Sequence, residues 1–199
     1  MVLQETFLKE YKSFHIPNKI VYRTNRNDRP GGGLLIAVKN SLASTRHSNT
    51  FITRNTEIIN VSVALDSFNL NIVNMYSNSE KITEEFNSFC QNISGPILIL
   101  GDFNMHHPLW GSTVSSRSSE DFLHWISTGE YCILNTSDVT HIAPNGSSFL
   151  IDLSLCSACL FTKMPISVDE NLFESDHFPI HLAVTIHPAL FTFGFGILG

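Results

Sequence analysis

Leu98-Ile99-Leu100-Gly101-Asp102-Phe103-Asn104-Met105-His106-His107 is the stretch on which the reading of this chain turns. Pro96 precedes Ile97-Leu98-Ile99-Leu100, an apolar run without alternation, which predicts a strand buried on both faces. The run ends in a glycine, followed by a carboxylate and an amide two residues apart. Side chains at i and i+2 share a face when the backbone is extended. Asp102 and Asn104 therefore either point into one pocket at the C-terminal end of a strand, where α/β enzymes often hold their sites, or form an Asx-turn that caps it.

Working outward, short β-like runs dominate. Ile20-Val21-Tyr22 leads to a turn over residues 25–30, and Gly31-Gly32-Gly33 opens Leu34-Leu35-Ile36-Ala37-Val38. Alternating apolar residues at Ile59, Val61, Val63 and Leu65, then Asp66-Ser67, then Phe68-Asn69-Leu70-Asn71-Ile72, predict a hairpin. Further strands are expected over residues 131–135, 149–155, 166–168 and 180–186. Helical spacing appears twice. Over residues 79–93, Ile82, Phe86, Phe89, Cys90 and Ile93 share one face; over residues 119–129, Phe122, Trp125 and Ile126 do so, with Ser119 as N-cap and Gly129 as stop. About nine strands and two helices without an internal repeat or linker predict one mixed α/β domain.

Composition narrows the function. The 199 residues are 43% hydrophobic and 15% charged, which excludes a disordered chain. The net charge of −6, from 12 Lys+Arg against 18 Asp+Glu, argues against a protein that coats nucleic acid through many phosphate contacts. It leaves room for clustered carboxylates that hold cations. Cys90, Cys132, Cys156 and Cys159 sit among apolar neighbours and read as reduced thiols; Cys156-x-x-Cys159 has no second pair at zinc-finger spacing. Met1-Val2-Leu3-Gln4-Glu5 shows no secretory pattern and no run of ~18 apolar residues occurs, so the expectation is an intracellular protein with no membrane partner.

Four further segments carry chemistry. Glu174-Ser175-Asp176-His177-Phe178-Pro179-Ile180 places an Asp-His pair at a strand entrance, and Leu150-Ile151-Asp152-Leu153 offers a carboxylate to fix a histidine tautomer. Leu3-Gln4-Glu5 supplies an isolated carboxylate, and Val73-Asn74-Met75-Tyr76-Ser77 closes a strand with a tyrosine.

In their order along residues 2–186, these motifs resemble the exonuclease–endonuclease–phosphatase superfamily, the deoxyribonuclease I-like fold. The continuation His106-His107-Pro108-Leu109-Trp110-Gly111 looks most like the apurinic-endonuclease-type domain of non-LTR retrotransposons of the jockey and R1 groups. The resemblance implies an α/β, two-sheet β-sandwich flanked by helices in four layers. It implies Mg²⁺-dependent (or Mn²⁺-dependent) nicking of double-stranded DNA for target-primed reverse transcription, and a nuclear location if the protein is active. Carried over residue by residue, Glu5 and Asp176 are the expected metal ligands. Asp102 positions or deprotonates the attacking water beside Asn104, Tyr76 contacts the scissile phosphate, and His177, oriented by Asp152, donates to a phosphate oxygen. A phosphatase or phosphodiesterase of the same fold, or an inactive remnant, is the alternative.

The chain also departs from the pattern. An asparagine-bearing strand normally precedes Leu-Gln-Glu, and Tyr76-Ser77-Asn78 replaces a tyrosine followed by prolines. The expectation is therefore a truncated domain over residues 1–186 that lacks its first strand and has an open pairing edge. An unmatched apolar tail, residues 187–199, would follow it and cover part of the gap, with the parent element's reverse transcriptase absent.

Overall fold

The computed structural model describes residues 1–26, 30–48, 51–52, 55–78, 84–186 and 189–197. In chain order it runs β1 (Val2–Gln4), β2 (Lys19–Thr24), β3 (Leu34–Lys39), β4 (Ser44–Arg46), β5 (Phe51–Ile52), β6 (Thr56–Ala64) and β7 (Asn69–Ser77). Then come α1 (Glu84–Gln91), β8 (Ile97–Asp102), α2 (Arg117–Thr128), β9 (Tyr131–Ile133), β10 (His141–Ile142), β11 (Ser148–Phe149) and β12 (Asp152–Ser157). The chain closes with β13 (Ile166–Val168), β14 (Ile180–Ile186) and β15 (Ala189–Ile197), and short 3-10 turns lie at Pro108–Trp110 and Ala158–Lys163.

Two mixed sheets result. The first is six-stranded in the order β13-β14-β15-β1-β3-β2; the second is seven-stranded, β4-β6-β7-β8-β12-β9 with β5 also on β6. Their inner faces share one core, with Val2, Leu34, Ile36, Leu182 and Val184 from the first meeting Val61, Val63, Ile72, Leu98 and Leu100 from the second. The non-alternating run of β8 is buried at every residue, as its sequence predicts. Leu98 and Leu100 face the other sheet. Ile97 and Ile99 face a second core built with Phe86 and Phe89 of α1 and Phe122, Trp125 and Ile126 of α2.

Among the described residues both helices cover this one sheet, and the two sheets pack face to face as the α/β sandwich the sequence predicts. In the first sheet β14 alternates, with Leu182 and Val184 buried and His181 exposed.

Some boundaries differ from the expected ones, and some lie outside the described residues. The first helix is described from Glu84; Ile82 and the rest of residues 79–83 lie outside the described residues, as do residues 27–29 of the expected 25–30 turn. The second helix begins one turn before the expected Ser119 cap, with Ser116 at the N-cap and Ser119 Oγ donating back to Ser116 O at 2.6 Å. The expected 149–155 strand is split into β11 and β12, because Ile151 N–H and Asp152 N–H both donate to Thr140 Oγ1 at 3.2 Å instead of extending a ladder.

The expected open edge at β1 is also absent. β15 runs parallel to β1, with Val2 opposite Phe195, and antiparallel to β14 from Ile180↔Phe195 to Ile186↔Ala189. The segment expected as an unmatched tail is thus an interior strand of the first sheet, and its pairing satisfies backbone groups on both neighbours.

Gly101 is required by close approach. A Cβ there would lie 2.0 Å from the Met75 carbonyl oxygen, where parallel β7 and β8 meet. Gly101→Ala is expected to cost about 3 kcal/mol by overpacking, roughly 6–12 °C in melting temperature for a chain of this size. An unchanged melt would contradict the register that carries Tyr76 and Asp102.

Candidate active site

The site is assembled where the C-terminal ends of β7 and β8 meet the start of β12. The ladder places Tyr76 beside Asp102 and Asp102 opposite Asp152. Three separate strand ends thereby present a phenol and two carboxylates side by side.

Asn104 holds Asp102. With φ of 49°, Asn104 turns the backbone so that its N–H donates to Asp102 Oδ1 at 2.9 Å while its Nδ2 donates to Oδ2, also at 2.9 Å. Its Nδ2 donates to Ser77 O at 3.2 Å as well, which ties the pair to the end of β7. The two readings of Asp102 and Asn104 are therefore both true: an Asx-turn forms, and it fixes a carboxylate in the site. Asp102 is buried, and its carboxyl is raised above the ordinary range. Burial is the largest cause and Asp152 the second, partly offset by His177 and by the Asn104 hydrogen bonds.

Asp152 holds His177. His177 Nδ1 lies 2.8 Å from Asp152 Oδ2, both residues being buried. Assigned as an Nδ1–H donor, the imidazole leaves Nε2 directed away from Asp152. Burial opposes charge on His177, but the hydrogen bond and charge of Asp152, with Asp102 and Asp176 behind it, prevail and raise its pKa. Asp176 is half exposed, with Oδ1 3.8 Å from His177 Nε2.

Glu5 arrives from the first sheet. Gln4 points between the sheets and donates to Asn74 Oδ1, while Asn74 Nδ2 donates to Leu3 O at 2.8 Å and Leu35 O at 3.1 Å. This buried amide pair clips β1 onto β7 two residues before Tyr76. Glu5 follows with φ of 49°, and its Oε2 accepts from Gly32 N at 2.8 Å. The Tyr76 hydroxyl is raised by burial, then by the hydrogen bond and charge of Glu5 and by Asp102, so it remains a protonated donor. Asn78 Nδ2 donates to the same oxygen at 2.9 Å.

All seven residues singled out in the sequence (Glu5, Tyr76, Asp102, Asn104, Asp152, Asp176 and His177) thus form one connected group. Three others were missed. Glu57, fully buried and opposite Tyr76 on β6, pairs with Arg26 and accepts from Gly33 N at 2.9 Å. The Arg26 guanidinium carbon stands 5.8 Å from the Tyr76 ring centroid, within cation–π range. A Cβ at Gly32, whose φ is +75°, would come within 2.5 Å of both Arg26 and Glu57, which is why the Gly31–Gly33 run sits here. His141 is the third: its ring centroid lies 4.4 Å from that of His177 and its Nε2 lies 3.6 Å from Asp176 Oδ2. The Asn145-Gly146 turn, a strong hairpin signal, could have flagged the β10–β11 ribbon that presents it.

Cys156 is buried and Cys159 exposed, so the Cys-x-x-Cys pair does not share an environment; burial pushes the Cys156 thiol up to about 12. Among the described residues no helix is long and apolar enough to cross a membrane.

Two packed sheets, one of them backed by helices, with strand-end carboxylates and a carboxylate-held histidine fit the deoxyribonuclease I-like fold, and the family match places the chain in the exonuclease–endonuclease–phosphatase superfamily. The family model described as endonuclease-reverse transcriptase matches residues 70–181, and the chain belongs to that family. No curated protein matches it. Among solved structures, the endonuclease domain of TRAS1, a telomere-specific non-LTR retrotransposon, shares the fold with a TM-score of 0.71 at 18% identity over 86% of this chain and 82% of that one. A 3′-phosphatase from Neisseria bound to a product DNA hairpin gives 0.60 at 14% identity, covering 93% and 88%. Caenorhabditis elegans TDP2, in truncated form, gives 0.52 at 13%, covering 81% and 74%.

Proposed function

We propose that this chain is a metal-dependent DNA-nicking endonuclease of a non-LTR retrotransposon, acting in the nucleus to open a 3′-hydroxyl for the element's reverse transcriptase. The observation that carries the reading is the convergence of two held pairs, Asp102 with Asn104 and His177 with Asp152, beside Tyr76 and Glu5. Family membership and the likeness in fold to the TRAS1 domain support it.

The donor set suits a hard divalent cation. Glu5, Asp102 and Asp176 contribute carboxylate oxygens, and Asp152 Oδ1 is buried with no hydrogen-bond partner among the described residues. Glu5 and Asp176 would hold the ion, which when bound supplies positive charge against the phosphate oxygens. The protein's own groups do the rest. Asp102, fixed by Asn104, orients a water and accepts its proton. Protonated Tyr76 donates to a phosphate oxygen, and His177, through Nε2, donates to another as negative charge builds in the transition state.

Supercoiled plasmid with purified protein tests this directly. Nicking is expected with Mg²⁺ or Mn²⁺ and none with chelator. Cleavage that survives both chelator and Asp102→Ala would assign the activity to something else. The likeness in fold to the Neisseria phosphatase makes a 3′-phosphorylated duplex the control substrate; release of phosphate without nicking would move the reading to a phosphatase.

A further inference from the structure

His141 is the residue of this cluster that the proposed cleavage leaves without a task. Its position is set by backbone: it forms an isolated antiparallel bridge with His177, and Ile142 N–H donates to Asp176 O at 2.8 Å. His141, Asp176 and His177 can each offer one ligand atom, all within 4.8 Å of one another. The closest approaches are 3.6 Å from His141 Nε2 to Asp176 Oδ2 and 3.8 Å from His177 Nε2 to Asp176 Oδ1. Two ligands about 2.0–2.2 Å from a tetrahedral ion stand about 3.3–3.6 Å apart, so the carboxylate is already near coordination distance of both rings.

The hydrogen bonding behind His177 points the same way. Asp152 holds His177 Nδ1 at 2.8 Å, the carboxylate–histidine arrangement that fixes the tautomer and leaves Nε2 with its lone pair free for a metal. Two imidazoles and one carboxylate are the donors of borderline transition metals, whereas Mg²⁺ prefers oxygen alone. Asp176, the exposed member, leaves the cluster open to solvent on one side.

We infer that His141, Asp176 and His177 form a site for a Zn²⁺-class transition metal, and that occupancy blocks cleavage because it takes the His177 Nε2 that would otherwise face the phosphate. The binding half stands on the cluster alone; the inhibitory half rests on the proposed function.

Calorimetric titration of chelator-treated protein with Zn²⁺, in millimolar Mg²⁺, separates the two. One Zn²⁺ per chain is expected, and Co²⁺ should give the visible absorption of a low-coordinate nitrogen–oxygen site. His141→Ala and the milder His141→Gln should each weaken binding at least about tenfold. Asp102→Ala, which keeps all three ligands, should still bind. Zn²⁺ should inhibit nicking by wild type, and His141→Gln should need at least about tenfold more for half-inhibition, each protein normalised to its own zinc-free rate. Absent saturable binding, or binding unchanged in both His141 variants, would overturn the site. Binding as expected without inhibition would overturn the inhibitory half. A chain that binds zinc but never nicks would count against the proposed function and leave the site standing.

Discussion

Asp102→Asn is expected to raise the melting temperature of the metal-free protein at neutral pH while lowering nicking by at least about a hundredfold. Both effects come from one carboxylate. Asp102 is buried directly opposite Asp152, and its pKa is raised by burial first and by that neighbour second. A group whose folded pKa lies above its unfolded value contributes stability below the unfolded value, about 3.9 for Asp, and loses it as pH rises through the folded one. At neutral pH folding must therefore either take up a proton on Asp102 or bury its charge, and both work against folding. The amide keeps the shape and removes the charge. It also turns one acceptor of the Asn104 bonds into a donor, at a cost of about 1 kcal/mol. Relief of a buried like-charge pair exceeds that, leaving a net gain of about 1–2 kcal/mol, roughly 2–8 °C in melting temperature. The gain should fade below the ordinary carboxylate range, where Asp102 is protonated in the unfolded chain as well. A variant that melts lower than wild type at neutral pH, or that still nicks, would remove Asp102 from the role assigned to it.

What could be read from the chain divides along the range of the interactions involved. Periodicity is local, so β3, β13 and β14 appear where the apolar alternation or run places them, and β8 is legible as doubly buried from four consecutive residues. Asp102 with Asn104 and Asp176 with His177 are legible because the partner or the strand end lies within two residues. Glu57 is not, since on an alternating strand it looks like an outward polar residue, and only pairing with Arg26, 31 positions away in sequence, explains its burial. The break between β11 and β12 depends on one hydroxyl, Thr140 Oγ1, about ten residues back. β15 was missed because Phe191-Thr192-Phe193-Gly194-Phe195-Gly196 has glycines where strand propensity is poor. What recruits it is two flanking strands with unpaired backbone, which no local pattern reports.

His177→Ala should lose at least about a hundredfold in nicking, the scale of one positioned oxyanion donor. Asp152→Asn is the more informative partner because Asp152 holds the imidazole. Against the opposing effect of burial, Asp152 supplies the hydrogen bond and the largest charge that raise His177. A folded histidine pKa above the unfolded value means that stability is fully present below about 6.5 and is lost as pH rises through the folded value. The imidazolium that would donate to the phosphate is lost over the same window. Wild-type activity and melting temperature should therefore both decline on the alkaline side, in step. With Asp152→Asn the hydrogen bond weakens and the charge disappears while burial stays, so the falling limb should move to lower pH. The rate at its optimum should drop about 10–100-fold, as when the group that orients a working imidazole is removed. His177→Ala should abolish that limb in the melting curve altogether. A purely structural Asp152 would lower the melting temperature equally at every pH and leave the activity limb where it was. That outcome would separate Asp152 from the chemistry, and a limb that persists in His177→Ala would assign it to another group.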